Sequence, residues 1–210
     1  MAYLNNNIKL RVGILFFKLL NNYTSNYNLT LMKKILSIFL LFSVSISFAQ
    51  AKYLTKTGVI SFEASVPSFE EVAAKNSNVT AIINTENGEF AALALVKGFR
   101  FKNALMEEHF NENYAESSKY PKATFKGVLK DFDFNSLQAS YLVNGELEFH
   151  GVTKSIDNIK VSILQENATI TMSGSFKTSP ADFNIEIPSI VKEKIAENVE
   201  VSFNFSMQPK

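Results

Sequence analysis

Ile60, Phe62, Ala64 and Val66 alternate with Ser61, Glu63 and Ser65, the period of two expected of a strand that buries one face. The alternation returns three times. Tyr141, Val143, Gly145, Leu147 and Phe149 oppose Asn144, Glu146, Glu148 and His150, and Ile170, Met172, Gly174 and Phe176 oppose Thr169, Thr171, Ser173 and Ser175. The last series is the cleanest, with Val199, Val201, Phe203, Phe205 and Met207 set against Glu200, Ser202, Asn204 and Ser206. Further strands are predicted near 79–84, 90–101, 123–134 and 156–164, about eight in all. Asn87-Gly88, Asn135-Ser136, Asp157-Asn158 and Glu166-Asn167 supply residues that accept turn conformations, so a meander is expected. Ser68-Phe69-Glu70-Glu71 fits a capping box that would open one helical turn through Lys75. The stretch 190–196 suits either a short helix or a solvated loop.

One segment breaks the strand rhythm. Met106, Phe110 and Tyr114 recur at helical spacing with Leu105 and His109 beside them, Asn103 is a suitable N-cap, and Glu107, Glu108, Asn111 and Glu112 fall on the other side. Tyr120-Pro121 ends any helix, because proline drives the residue before it to extended geometry. A short helix near 104–115 therefore interrupts an antiparallel sheet. Eight strands with one apolar face pair as a sandwich or close on themselves, and closure removes the exposed edges that invite aggregation. Gly127, Gly145, Gly174 and Ala64 at inward positions would either leave internal volume or relieve curvature.

The N-terminal quarter has a different chemistry. Met32-Lys33-Lys34, the apolar run from Ile35 to Phe48 and the small-residue site Ser47-Phe48-Ala49 read as a signal peptide spanning 32–49 and cleaved before Gln50. Its apolar run of about 14 residues is short of the roughly 20 that a spanning helix needs. Residues 1–31 read as an extension from a start codon placed too far upstream, or else as a long charged leader or an uncleaved anchor. Residues 50–210 are then a single domain. Segment 1–49 holds five basic and no acidic residues, so the remainder carries 16 basic against 20 acidic, a net of −4. That balance disfavours nucleic acid. With no cysteine, disulfides, thiolate metal sites, thiol nucleophiles and acylated anchors are excluded.

The run MEEHFNENYAESSKYPKATFKG from Met106 to Gly127, the turn Phe149-His150-Gly151-Val152-Thr153-Lys154 and the stretch Phe176 to Ile185 together resemble the YceI-like family of bacterial periplasmic proteins, over roughly Tyr53 to Met207. The chain departs from the pattern at two places. Pro180 and Asn184 flank Asp182-Phe183 where many members carry Arg and Gly, and Val66-Pro67-Ser68 stands where an early His is frequent. The resemblance implies an all-β, lipocalin-like barrel of about eight strands, capped by the helix near 104–115 and hollow enough for one ligand. It implies a periplasmic or secreted protein that holds a long-chain isoprenoid or similar amphiphile. No cofactor is expected beyond such a bound isoprenoid lipid or quinone. The expected partner is a small amphiphilic lipid, with neither nucleic acid nor stable membrane insertion, and a dimer is one expected state. An enzyme acting on a lipid, or a stress-related structural protein with a filled core, stays open as an alternative.

Nineteen phenylalanines and no tryptophan are the chemical resource. Each buried Phe contributes on the order of 2–3 kcal/mol of transfer free energy, so most serve the core and the surplus decides function. The candidate ligand-binding residues are Phe62, Phe99, Phe101, Met106, His109, Phe110, Tyr114, Phe125, Phe149 and Phe176. Arg100 and Lys102, on the other face of the Phe99–Phe101 alternation, are candidates for an anionic head group, with Lys119, Lys122 and Lys126 a second basic run. His109 and His150 with Glu108 and Glu112 lack metal-site spacing, so no metal is expected. No nucleophile elbow or phosphate loop is present, and no catalytic residue is assigned. Asp131 and Asp133 are expected on an exposed strand edge, and Asp182 in a turn cap.

Overall fold

The computed structural model describes residues 52–67 and 69–210. The expected export segment, the stretch before it and Ser68 of the expected capping box lie outside the described residues. Nine strands form one sheet: β1 Lys52–Ser65, β2 Ala73–Asn84, β3 Glu89–Leu95, β4 Arg100–Phe101, β5 Lys122–Leu129, β6 Ser140–Phe149, β7 Val152–Glu166, β8 Thr169–Thr178 and β9 Ile195–Pro209. All pairings are antiparallel, and β1 pairs with both β2 and β9, which closes eight strands into a barrel. The two-residue β4 continues along the edge of β2 beyond the end of β3. Helix α1, Ala104–His109, runs into a π-helical turn at Phe110–Tyr114, and a second helix, α2, covers Ser189–Lys192. Among the described residues no helix is long and apolar enough to cross a membrane.

Four departures from the predicted strand pattern have local causes. Residues 69–72 form no helix, because Val72 O accepts from Ala64 N at 2.8 Å, Ser65 Oγ accepts from Val72 N at 3.1 Å, and Ala73 already belongs to β2. The strand expected over 90–101 is split by a 3-10 turn at Val96–Gly98. Buried Asn76 reaches from β2 to donate to Leu95 O at 3.0 Å and accepts from Asn78 N at 2.9 Å, filling the gap. The strand expected over 123–134 ends at Leu129, where Asp131 turns into the left-handed region at φ 55° and Asp133 caps a 3-10 turn by accepting from Asn135 N. Asp157-Asn158 is no connection. It is a bulge inside β7, with Asn158 at φ 57° and its N–H donating to Asn144 Oδ1 at 2.7 Å.

The β6–β7 reversal lies at His150-Gly151 instead, both at positive φ (52° and 74°) with Phe149 paired to Val152, the geometry that matches the twist of a two-residue hairpin. The inward glycines likewise serve geometry more than free volume. Gly145 faces Gly127 across β5 and β6, and a Cβ on Gly145 would lie 2.4 Å from Lys126 O and 2.6 Å from Phe125 Cζ. The Phe125 ring thus lies over bare backbone where the wall bends.

Candidate ligand-binding site

The barrel has two unlike ends. At the end holding the 85–88, 130–139 and 167–168 connections, Tyr53, Ile83, Leu129, Tyr141, Ile163, Ile170 and Met207 pack into a buried core, with Phe132, Phe134 and Leu137 against it. Tyr141 satisfies its hydroxyl by accepting from Gln138 N at 2.7 Å. At the other end the interior opens into a cavity of about 390 Å³. Its floor is Phe90, Val143, Met172 and Phe205, and its walls are almost wholly apolar.

The N-cap predicted at Asn103 is present, with Asn103 Oδ1 accepting from Leu105 N and Met106 N at 2.9 and 3.4 Å. Glu107 then fastens α1 to the end of β4, its carboxylate accepting from Phe101 N at 3.1 Å and from Arg100 at 2.8 Å. The π turn, closed by Ala115 N donating to Phe110 O at 2.8 Å, directs Phe110 into the aromatic wall. Its ring lies 5.4, 6.0 and 5.2 Å from those of Phe62, Phe99 and Phe101, within the range of favourable aromatic pairs. Leu105, expected on the inner side, is more than half exposed.

All ten residues predicted to bind ligand line this cavity: Phe62, Phe99, Phe101, Met106, His109, Phe110, Tyr114, Phe125, Phe149 and Phe176. The two head-group candidates lie elsewhere. Arg100 and Lys102 do not line the cavity; Arg100 donates to the Glu107 carboxylate and the carbonyls of Lys97 and Phe99, and Lys102 pairs with Glu71. Alternation along β4 turns both cations outward when Phe99 and Phe101 turn in. Sequence reading missed the wall supplied by the 178–195 segment, where Thr178, Pro180, Phe183, Ile187, Val191 and Ile195 complete the rim.

Two polar ties hold the capping segment over the mouth. At its start, Asn103 Nδ2 donates to Glu70 Oε1 at 3.0 Å, beside the Lys102–Glu71 pair. At its end, His150 is held between two acceptors, the Glu116 carboxylate 2.8 Å from Nε2 and Phe183 O 2.9 Å from Nδ1, with its ring edge-on to Tyr120. The left-handed backbone of His150 turns the imidazole into this contact. Glu116 also lies 3.9 Å from Lys119, whose ammonium keeps its proton to higher pH than usual, first through side-chain hydrogen bonding with Tyr120 and then through Glu116. Asp182 accepts from Ser179 N at 3.1 Å and caps the Pro180–Phe183 turn, which ends on Asn184 at φ 57°. Asparagine is among the few non-glycine residues at ease there, so the missing family glycine costs little.

A closed antiparallel barrel with an apolar pocket under a short helical cap defines a lipocalin-like fold with room inside for a small hydrophobic molecule. The model of the YceI-like domain matches residues 41–207, and the chain belongs to that family. Similar solved structures include a polyisoprenoid binding domain from Saccharophagus degradans implicated in plant cell wall breakdown, with 17% identity and TM-score 0.64, covering 77% of this chain and 99% of that one. BcnA of Burkholderia cenocepacia has 17% identity and TM-score 0.61, covering 71% and 95%. The YCEI protein of Campylobacter jejuni has 15% identity and TM-score 0.57, covering 69% and 89%. No curated protein matches the chain.

Proposed function

We propose that this protein is an exported carrier that holds one long-chain isoprenoid or similar amphiphile inside the barrel. The apolar cavity beneath Met106, Phe110 and Tyr114 carries the reading. Ten methylenes buried there would contribute about 8 kcal/mol, enough for micromolar affinity before ordering costs are subtracted. The hollow interior favours a carrier over a structural protein with a filled core. The likeness to a fold whose Saccharophagus member is a polyisoprenoid binding domain points the same way. Export is supported by the lysine-led apolar run of 32–49 with its Ser47-Phe48-Ala49 site, and the periplasm is the proposed compartment.

Delipidated protein is expected to take up a fluorescent apolar probe at one site per chain and to release it to long isoprenoid alcohols. A protein that takes up neither would overturn the carrier reading. Intact-mass measurement of fractionated cells tests export: a soluble periplasmic species starting at Gln50 is expected, and a membrane-pelleted species retaining residues 32–49 would contradict it.

A further inference from the structure

Seven large hydrophobic side chains are exposed among the described residues, and three of them gather at the open end of the barrel: Phe69, Leu105 and Ile190, the last 84% exposed. Their segments are neighbours. Ser65 of β1 pairs with Ile195 of β9, which sets the connection holding Phe69 beside α2, and the bond from Asn103 to Glu70 sets the same connection beside the start of α1. Each of the three also adjoins the cavity wall. Phe69 lines the cavity itself, Leu105 precedes Met106, and Ile190 precedes Val191. Apolar side chains thus continue from the cavity onto its rim at three points. Single exposed apolar residues are ordinary on a protein surface, whereas several around one opening mark a contact face.

We infer that this rim rests reversibly on a lipid bilayer, and that the ligand passes between bilayer and cavity there. The inference rests on the reading of the cavity as an amphiphile site and adds the surface from which the site is loaded. A long chain loses more in crossing water with every methylene, so an apolar rim set into the bilayer shortens the exposed step. The charges beside the rim favour a bilayer over a second protein. Lys102, Glu108, Lys192, Glu193 and Lys194 are exposed on the α1 and α2 segments, and a protein interface would have to desolvate them. In a head-group layer they keep their water while the apolar tips reach the acyl chains. Lys192 and Lys194 outnumber Glu193, and neither lysine has an ion-pair partner among the described residues, which leaves both to meet lipid phosphates.

The test uses the processed chain beginning at Gln50 and vesicles of phosphatidylethanolamine and phosphatidylglycerol loaded with a long isoprenoid alcohol. Wild type, the double variant Leu105→Ser with Ile190→Ser, and Leu164→Ser are compared by flotation with the vesicles and by the rate at which they take the alcohol from them. Leu164 is the control, because it is as exposed as Leu105, 58% against 56%, yet lies near the end of β7 beside the 167–168 turn of the packed end. Wild type and Leu164→Ser should float and load alike, and the double variant should lose roughly tenfold in vesicle binding and in loading rate as two apolar side chains leave the bilayer. Uptake of an apolar fluorescent probe in vesicle-free solution should be the same for all three. The docking is overturned if wild type does not float, if the double variant floats and loads as wild type does, or if Leu164→Ser loses as much. A wild-type dimer that the double variant dissociates, seen by sedimentation without vesicle binding, would assign the face to a second copy of the chain. Each of these results leaves the carrier reading standing as long as the probe binds. A chain that takes up no probe removes the carrier reading and the docking with it.

Discussion

The two ends of the barrel are built from the same alternating strands and differ in what their inward side chains meet. At the packed end Ile83, Ile170 and Met207 are at most 1% exposed and touch one another's neighbours on every side. At the open end Phe62, Phe110, Phe125 and Phe176 remain half-buried around a void. Burial at the packed end supplies stability, whereas apolar surface at the open end stays available to a guest. A β-barrel can be both a core and a container when side chains fill one end and the other keeps an apolar void beneath a helical cap.

The largest expected effect that would sharpen this contrast is at the packed end. Ile170→Ala should lower unfolding free energy by about 2–5 kcal/mol in urea denaturation while leaving probe affinity of the folded protein unchanged. A loss of affinity without a loss of stability would break the comparison. Gly145→Ala comes next, at about 1–3 kcal/mol of destabilisation, since its methyl group must displace the Lys126 carbonyl or the Phe125 ring. At the open end Phe110→Ala should weaken binding of a long isoprenoid alcohol roughly tenfold, about 1.4 kcal/mol, measured by probe displacement. The smallest effect is expected at Lys102→Ala. Its pair with Glu71 is exposed, such pairs contribute about 0–1 kcal/mol, and lipid affinity should stay within twofold of wild type. If Lys102→Ala weakened binding more than Phe110→Ala, the ligand would sit outside the barrel.

Alternation made most of the barrel legible, because the inward residues of β1, β6, β8 and β9 fall on a period of two that one buried face enforces. The capping helix was equally readable from Asn103 and the Met106–Phe110–Tyr114 spacing, although the π turn was not, since it closes the helix and no further apolar turn follows to register the extra residue. Long-range contacts hid the rest. Asn76 is an ordinary polar residue in the sequence, and only its reach to Leu95 O explains the break at Val96–Gly98. His150 lay on the outward phase of β6, and its left-handed turn, which no period encodes, brings it to Glu116 and Phe183. Thr178 and the 180–195 rim depend on where an irregular connection folds back. Arg100 and Lys102 had the right alternation and the wrong neighbours, because Glu107 and Glu71 reach them first.

The central claim is that the open end encloses one lipid-like molecule. Native mass spectrometry of protein purified gently from its own cells, followed by solvent extraction and mass analysis of the extract, tests it directly. The expected spectrum shows the chain with one added mass that solvent removes, and the extract yields a long-chain lipid. A spectrum of the bare chain under the same gentle conditions, from cells that contain such lipids, would contradict the account.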